Sequence, residues 1–273
     1  MSDFKLQQYR DLGGILTDSF TYIRVHYKSL GKALGLLVLP FYIISGLLVG
    51  SGYSSFFTVM DNPDASADAL FSGDFLIGML LLAFSSGALL TVSLTHINLA
   101  QDTNDVRFED IFNNFGRNFF TLLGLYILII IIVFFGFMFL ILPGIYIGIK
   151  LFVAPAVAVI EQRNPFESIS RSWDLVQGHW WFTFATYLVM NIITSFMSYV
   201  LIIPMSILFG FLAASGADNS AMIGTGMGLF YGLLIVVASL FSVLMLIAMA
   251  LQYFNLIERK EGKGLRAQIE ELG

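Results

Sequence analysis

From residue 119 to residue 160 the chain runs 42 residues with one charged side chain, Lys150. A bilayer crossing takes about 20 apolar residues, so this run is too long for one span and fits two. The division is expected at Leu142, Pro143 and Gly144, since adjoining proline and glycine suit a tight turn between helices. A rival reading makes residues 145–160 a re-entrant segment, short and interrupted by Pro155. Four further apolar runs cover residues 33–53, 75–100, 180–214 and 222–254. The last two are longer than a crossing needs, which implies tilt, a kink or extension beyond the membrane. Pro204 removes a backbone donor inside the fifth run, so a bend is expected near it. The sequence therefore predicts an all-α fold, a polytopic transmembrane helical bundle of six spans.

Composition agrees. Hydrophobic residues make up 57% and charged residues 12%, where a soluble domain carries about 25% charge. This excludes a soluble enzyme, a disordered chain and a nucleic-acid binder. Cysteine is absent, which excludes disulfides and thiolate metal sites. No cofactor and no metal are expected. The first thirty residues contain no short apolar core with a small-residue cleavage site, so the first span is expected to act as its own insertion signal.

The charges orient the spans. With six spans and a cytoplasmic N-terminus, 13 of the 14 basic residues fall on the cytoplasmic side, and Lys150 lies within the membrane. The outer loops then carry only Asp61, Asp64, Asp68, Asp74 and Asp218. This positive-inside pattern predicts two cytoplasmic termini.

Each cytoplasmic segment before an odd-numbered span has the spacing of an amphipathic helix. The stripes are Leu12, Ile15, Leu16, Ser19, Ile23 and Tyr27; Phe108, Ile111, Phe112, Phe115 and Phe119; and Phe166, Ile169, Trp173, Val176 and Trp180. Asn164, Pro165 and Glu167 give the third a helix-start signature, and Glu167 is placed to pair with Arg171. These three cytoplasmic helices are expected at the inner membrane interface. Phe-Glu-x-Ile recurs at 108–111 and 166–169, each followed by paired aromatics, Phe119-Phe120 and Trp180-Trp181. The pattern suggests a threefold internal repeat within one membrane domain, with units near 8–100, 101–160 and 161–257 and a tail at 258–273.

Three segments together resemble a known group: 155–161 (PAVAVIE), 165–176 (PFESISRSWDLV) and 178–181 (GHWW). They are similar to the membrane domain attached to some glycerophosphoryl diester phosphodiesterases and to related six-span bacterial proteins. The sharpest part is Arg171-Ser172-Trp173 after Glu161, a glutamate that ends a span. The resemblance implies a bacterial inner-membrane helical bundle. It does not imply phosphodiesterase activity, because the soluble catalytic domain of those enzymes has no counterpart in this sequence.

Chemistry-bearing groups are few. His26, His96 and His179 are the histidines, all placed near the inner surface, and no carboxylate lies deep in a span. A His-Glu-x-x-His site is missing, and a Ser-His dyad at membrane depth is not expected. The expected role is non-enzymatic: a scaffold or accessory subunit, with membrane lipids and other membrane subunits as partners. The alternative is a permease for a small or amphiphilic solute. Gly46 with Gly50, and Gly224 with Gly228 and Gly232, allow close helix approach, read chiefly as intramolecular packing rather than a homo-oligomer seam. Lys150 is the candidate ligand residue. Eleven residues from Glu161, it is placed about 16 Å deep, where Asn191 and Ser242 reach a similar level. A bare ammonium there costs several kcal/mol. Lys150 is therefore expected to be neutral, to bond within the bundle with Asn191 first, or to face a polar cavity that accepts an anion such as a lipid phosphate.

Overall fold

A computed structural model describes residues 4–61, 72–101, 103, 105–214 and 220–262. Asp64, Asp68, Asp218 and the tail from Lys263 fall outside these residues. The chain is helical: α1 (Leu12–Leu37), α2 (Leu39–Asp61), α3 (Gly73–Leu99), α4 (Phe108–Phe139), α5 (Ile141–Lys150), α6 (Ala154–Ile160), α7 (Pro165–Val176), α8 (Trp180–Ala214) and α9 (Ser220–Glu261). Among the described residues, five stretches are long and apolar enough to cross a membrane, one of them α5 and α6 together. They become six if α1 and α2, bent by 49° at Val38, count as one span. The all-α, multi-pass reading is what the structure has.

Element boundaries differ from expectation for identifiable reasons. The first amphipathic stretch and the first span meet at Val38. Pro40 explains this break, since it lacks an N–H and its ring clashes with the carbonyl four residues back. The second amphipathic stretch does not end before its span; α4 runs unbroken for 32 residues. Its chain reversal falls at Leu140, in extended backbone, rather than at Leu142 to Gly144. Pro143 sits inside the first turn of α5, where its missing donor costs nothing. Gly144 permits the return: a Cβ there would come within 2.5 Å of the Phe137 ring. Pro155 opens α6 after a turn at 151–153.

Two compact units make up the chain. One contains Met1–Ala33, Leu90–Ile192 and Val243–Gly273. Its core holds α6, with every residue from Ala154 to Val159 buried, together with Ile111, Leu122 and Leu125 of α4 and Leu175 of α7. The other contains Leu34–Leu89 and Ile193–Ser242. Within it α2 and α9 meet on glycine. A Cβ on Gly232 would lie 1.9 Å from the Gly46 carbonyl oxygen, and one on Gly50 would lie 2.4 Å from that of Gly228. The glycine steps are thus an intramolecular seam, as small residues in membrane bundles allow.

Helix α7 buries a face that takes in only part of the apolar stripe. Ser168, Ser172, Leu175 and Val176 are buried, while Phe166 is 73% exposed. Water-soluble packing would turn the aromatics inward. In lipid there is no such drive, and small polar residues take the interior. The start of α7 is as expected: Asn164 accepts from the Glu167 amide at 3.0 Å and Pro165 follows. Both Phe-Glu-x-Ile motifs lie at helix starts, with Glu109 and Glu167 in first turns, where the helix dipole favours an acid.

Candidate ligand site

Lys150 ends α5 and is 2% exposed. Its Nζ donates to the Trp173 carbonyl at 3.3 Å and lies 5.2 Å from the Trp173 ring centre and 5.8 Å from that of Tyr146. Ser172 Oγ donates to the Lys150 carbonyl at 2.8 Å. Asp174 and Lys260 are its charged neighbours. Two aromatic faces and a carbonyl replace the water that this ammonium gave up.

This placement corrects the depth argument. Trp173 and Lys260 belong to the end of α7 and the last turn of α9, so Lys150 stands with the terminal charges of these helices rather than midway along the spans. The turn at 151–153 breaks the straight helix on which the 16 Å figure rested. Asn191 is exposed on α8, whereas the hydrogen bonds and ring contacts of Lys150 run to Trp173, Ser172 and Tyr146. Ser242 donates to the Ser239 carbonyl of its own helix and belongs to the other compact unit.

The Arg171, Ser172, Trp173 run now has a physical reading. Arg171 Nε donates to Glu161 at 3.1 Å, and its other nitrogen pairs with Glu261. Glu161 also accepts from Arg163 at 2.5 Å and from the Tyr253 hydroxyl at 3.1 Å. Arg171 therefore ties the end of α6 to α7 and α9. Burial opposes its charge, but Glu261 and Glu161 outweigh that and raise its pKa. The Glu167 pairing expected from spacing is replaced by these two partners. In sequence order, then, the run makes an ion bridge, a hydroxyl bond to the α5 backbone, and a ring over the Lys150 ammonium.

Beside Lys150 the aromatic packing continues. Trp180 Nε1 donates to the Tyr146 carbonyl at 3.1 Å, and the two rings stack at 5.6 Å. Trp181 meets Trp180 edge-on at 4.8 Å. These residues line an open apolar groove of about 570 Å³ with Leu142, Pro143 and Ile145. The reversal between α4 and α5 and the start of α8 are therefore at one level. In the six-span threading the first is external and the second cytoplasmic, about 30 Å apart. That threading of the third and fourth spans does not fit a 3.1 Å contact between Trp180 and Tyr146.

His179 precedes α8 and is held below its ordinary pKa of 6.5 by burial and by Arg259, with Lys260 acting the same way against the Gln177 backbone. Its Nδ1 is buried without a hydrogen-bond partner among the described residues.

Two polar clusters were not foreseen. His96 Nδ1 is 2.7 Å from the Tyr22 hydroxyl and its Nε2 is 2.8 Å from Ser29 Oγ. Ser29 itself donates to the His26 carbonyl at 3.2 Å. With that donor committed, His96 gives its Nε2 proton to Ser29 and accepts from Tyr22, so this is a one-way chain and not a base drawing a proton from serine. The second cluster begins at Arg259, which donates to Asn255; Asn255 donates to Gln252, and Gln252 to Thr183 at 2.9 Å. Asn255, Gln252 and Thr183 are fully buried. Neither cluster is visible as a short-range motif, because each joins residues 67 or more positions apart. No three acidic or histidine side chains gather as a metal site among the described residues.

Comparison with family models, with curated proteins and with solved structures finds no match.

Proposed function

We propose that this protein is a non-enzymatic scaffold or accessory subunit that handles lipids in a bacterial cytoplasmic membrane, with both termini in the cytoplasm. The observation that carries the reading is Lys150: an ammonium 2% exposed, caged by Tyr146 and Trp173, next to an apolar groove edged by Trp180 and Trp181. Tryptophan prefers the membrane interface, and a cation beside it suits an anionic headgroup. The resemblance at Glu161 and Arg171 to Trp173 supports the bacterial inner membrane, and the basic residues of the connecting segments support the orientation.

Native mass spectrometry of the chain extracted with its lipids tests this. Retained phospholipid at fixed stoichiometry is expected. A lipid-free protein that carries a solute across proteoliposomes would favour the permease instead. The observation on that side is the buried chain Asn255, Gln252 and Thr183, a polar file inside the bundle.

A further inference from the structure

We propose that the end of α5, the last turn of α9 and the start of α8 form a binding site for one anionic phospholipid, its phosphate held by Lys260 over the buried Lys150 ammonium and an acyl chain laid in the groove of Leu142, Tyr146 and Trp181. This deepens the lipid-handling reading and rests on it.

Charge comes first. Lys150 and Lys260 both send their hydrogen bonds to backbone carbonyls, those of Trp173 and Asp174, and no carboxylate makes an ion pair with either among the described residues. They are nonetheless close enough to repel each other, and Asp174 offsets only part of that charge. Arg259 and Lys260 also act on His179, whose buried Nδ1 lacks a hydrogen-bond partner among the described residues. An anion placed among these groups would relieve repulsion that the protein leaves standing. The opposite acid-rich corner, by contrast, is already satisfied: Arg171 and Arg163 occupy Glu161 and Glu261.

The rings exclude a cationic headgroup as the recognised part. Aromatic faces of this kind bind quaternary ammonium groups when they are empty. Here Tyr146 and Trp173 already have the Lys150 ammonium against them. A choline would have to displace a lysine, whereas a phosphate would add to it.

Shape favours a lipid over a free anion. The groove is almost wholly apolar, with Leu142 78% and Trp181 76% exposed along it. It adjoins the cations through Tyr146, which lines the groove and also lies under Lys150. A molecule that fills both parts has an anionic end and an apolar end.

The test uses the full chain purified in detergent and titrated, by native mass spectrometry and thermal shift, with phosphatidylglycerol, with phosphatidylcholine of the same acyl chains, and with inorganic phosphate. Phosphatidylglycerol is expected to bind and to raise the melting temperature, and inorganic phosphate to do neither. Lys260→Gln should weaken phosphatidylglycerol about five-fold, the effect of about one cation near an anionic headgroup, and leave phosphatidylcholine unchanged. Trp181→Ala should weaken both lipids alike. Lys150→Met with Lys260→Gln should erase the difference between them. Lys260 and Trp181 are exposed, so these two variants carry the test even where a Lys150 variant fails to fold. Phosphatidylglycerol bound equally by the parent, Lys260→Gln and Trp181→Ala would overturn the site while leaving lipid handling intact. Protection by inorganic phosphate equal to that by phosphatidylglycerol would also overturn it, in favour of a free-anion site. A parent that retains no lipid at all would overturn the functional reading, and the site with it.

Discussion

Arg171 is the residue on which the packing of α6, α7 and α9 turns. It holds two carboxylates from different helices, and its side chain is 23% exposed. Hydrogen bonds to charged groups contribute about 1.5–3 kcal/mol when buried and exposed pairs at most about 1, so Arg171→Ala should cost about 1–2 kcal/mol. Trp173 is 36% exposed, and its contact with Lys150 is worth about 1 kcal/mol. Thermal unfolding in detergent should therefore rank Arg171→Ala at or below Trp173→Ala in stability. Sequence spacing alone predicts the reverse, since it leaves the arginine in water or on Glu167. Arg171→Lys should recover only part of the loss, because an ammonium cannot fork between two acids. His179 contributes a pH dependence. Its folded pKa lies below 6.5, so below that pH the unfolded chain binds more protons and stability falls. His179→Gln should flatten the fall between the unfolded value and the lower folded one. An unchanged pH profile would place its origin elsewhere.

At the scale of helices, the α2 and α9 seam is the most sensitive contact. Gly232→Ala puts a methyl 1.9 Å from a backbone oxygen, which only helix separation can relieve. Overpacking of this kind costs about 1–3 kcal/mol or more. Gly35→Ala in α1 meets nothing within 4 Å and should be neutral or slightly stabilising. Equal melting temperatures for the two variants would contradict the seam. On α7, Ser172→Leu should destabilise more than Phe166→Ser, because the serine is buried and the phenylalanine faces out. The glycine seam and the Asn164 cap were legible in the sequence, since both are local patterns with one geometric solution. The face of α7 was not. A stripe of Phe166, Ile169 and Trp173 reads as an inward face only if water is the solvent, and the periodicity is silent on that. The partners of Lys150 were hidden by the turn at 151–153, which Pro155 hints at but which no spacing rule locates.

At the scale of the whole molecule, the reversal of α4 and α5 and the start of α8 lie at one level, so positions 143 and 171 should share one membrane face. This follows from the Trp180 bond to Tyr146 and from Lys150 beside Lys260. It also fixes where the lipid site opens. The chain has no cysteine, so single cysteines at positions 64, 143 and 171 can be labelled in intact cells with a membrane-impermeant reagent, then again after permeabilisation. The expected result is labelling of position 64 in intact cells, and of positions 143 and 171 only after permeabilisation. Labelling of position 143 together with position 64 from outside would contradict it.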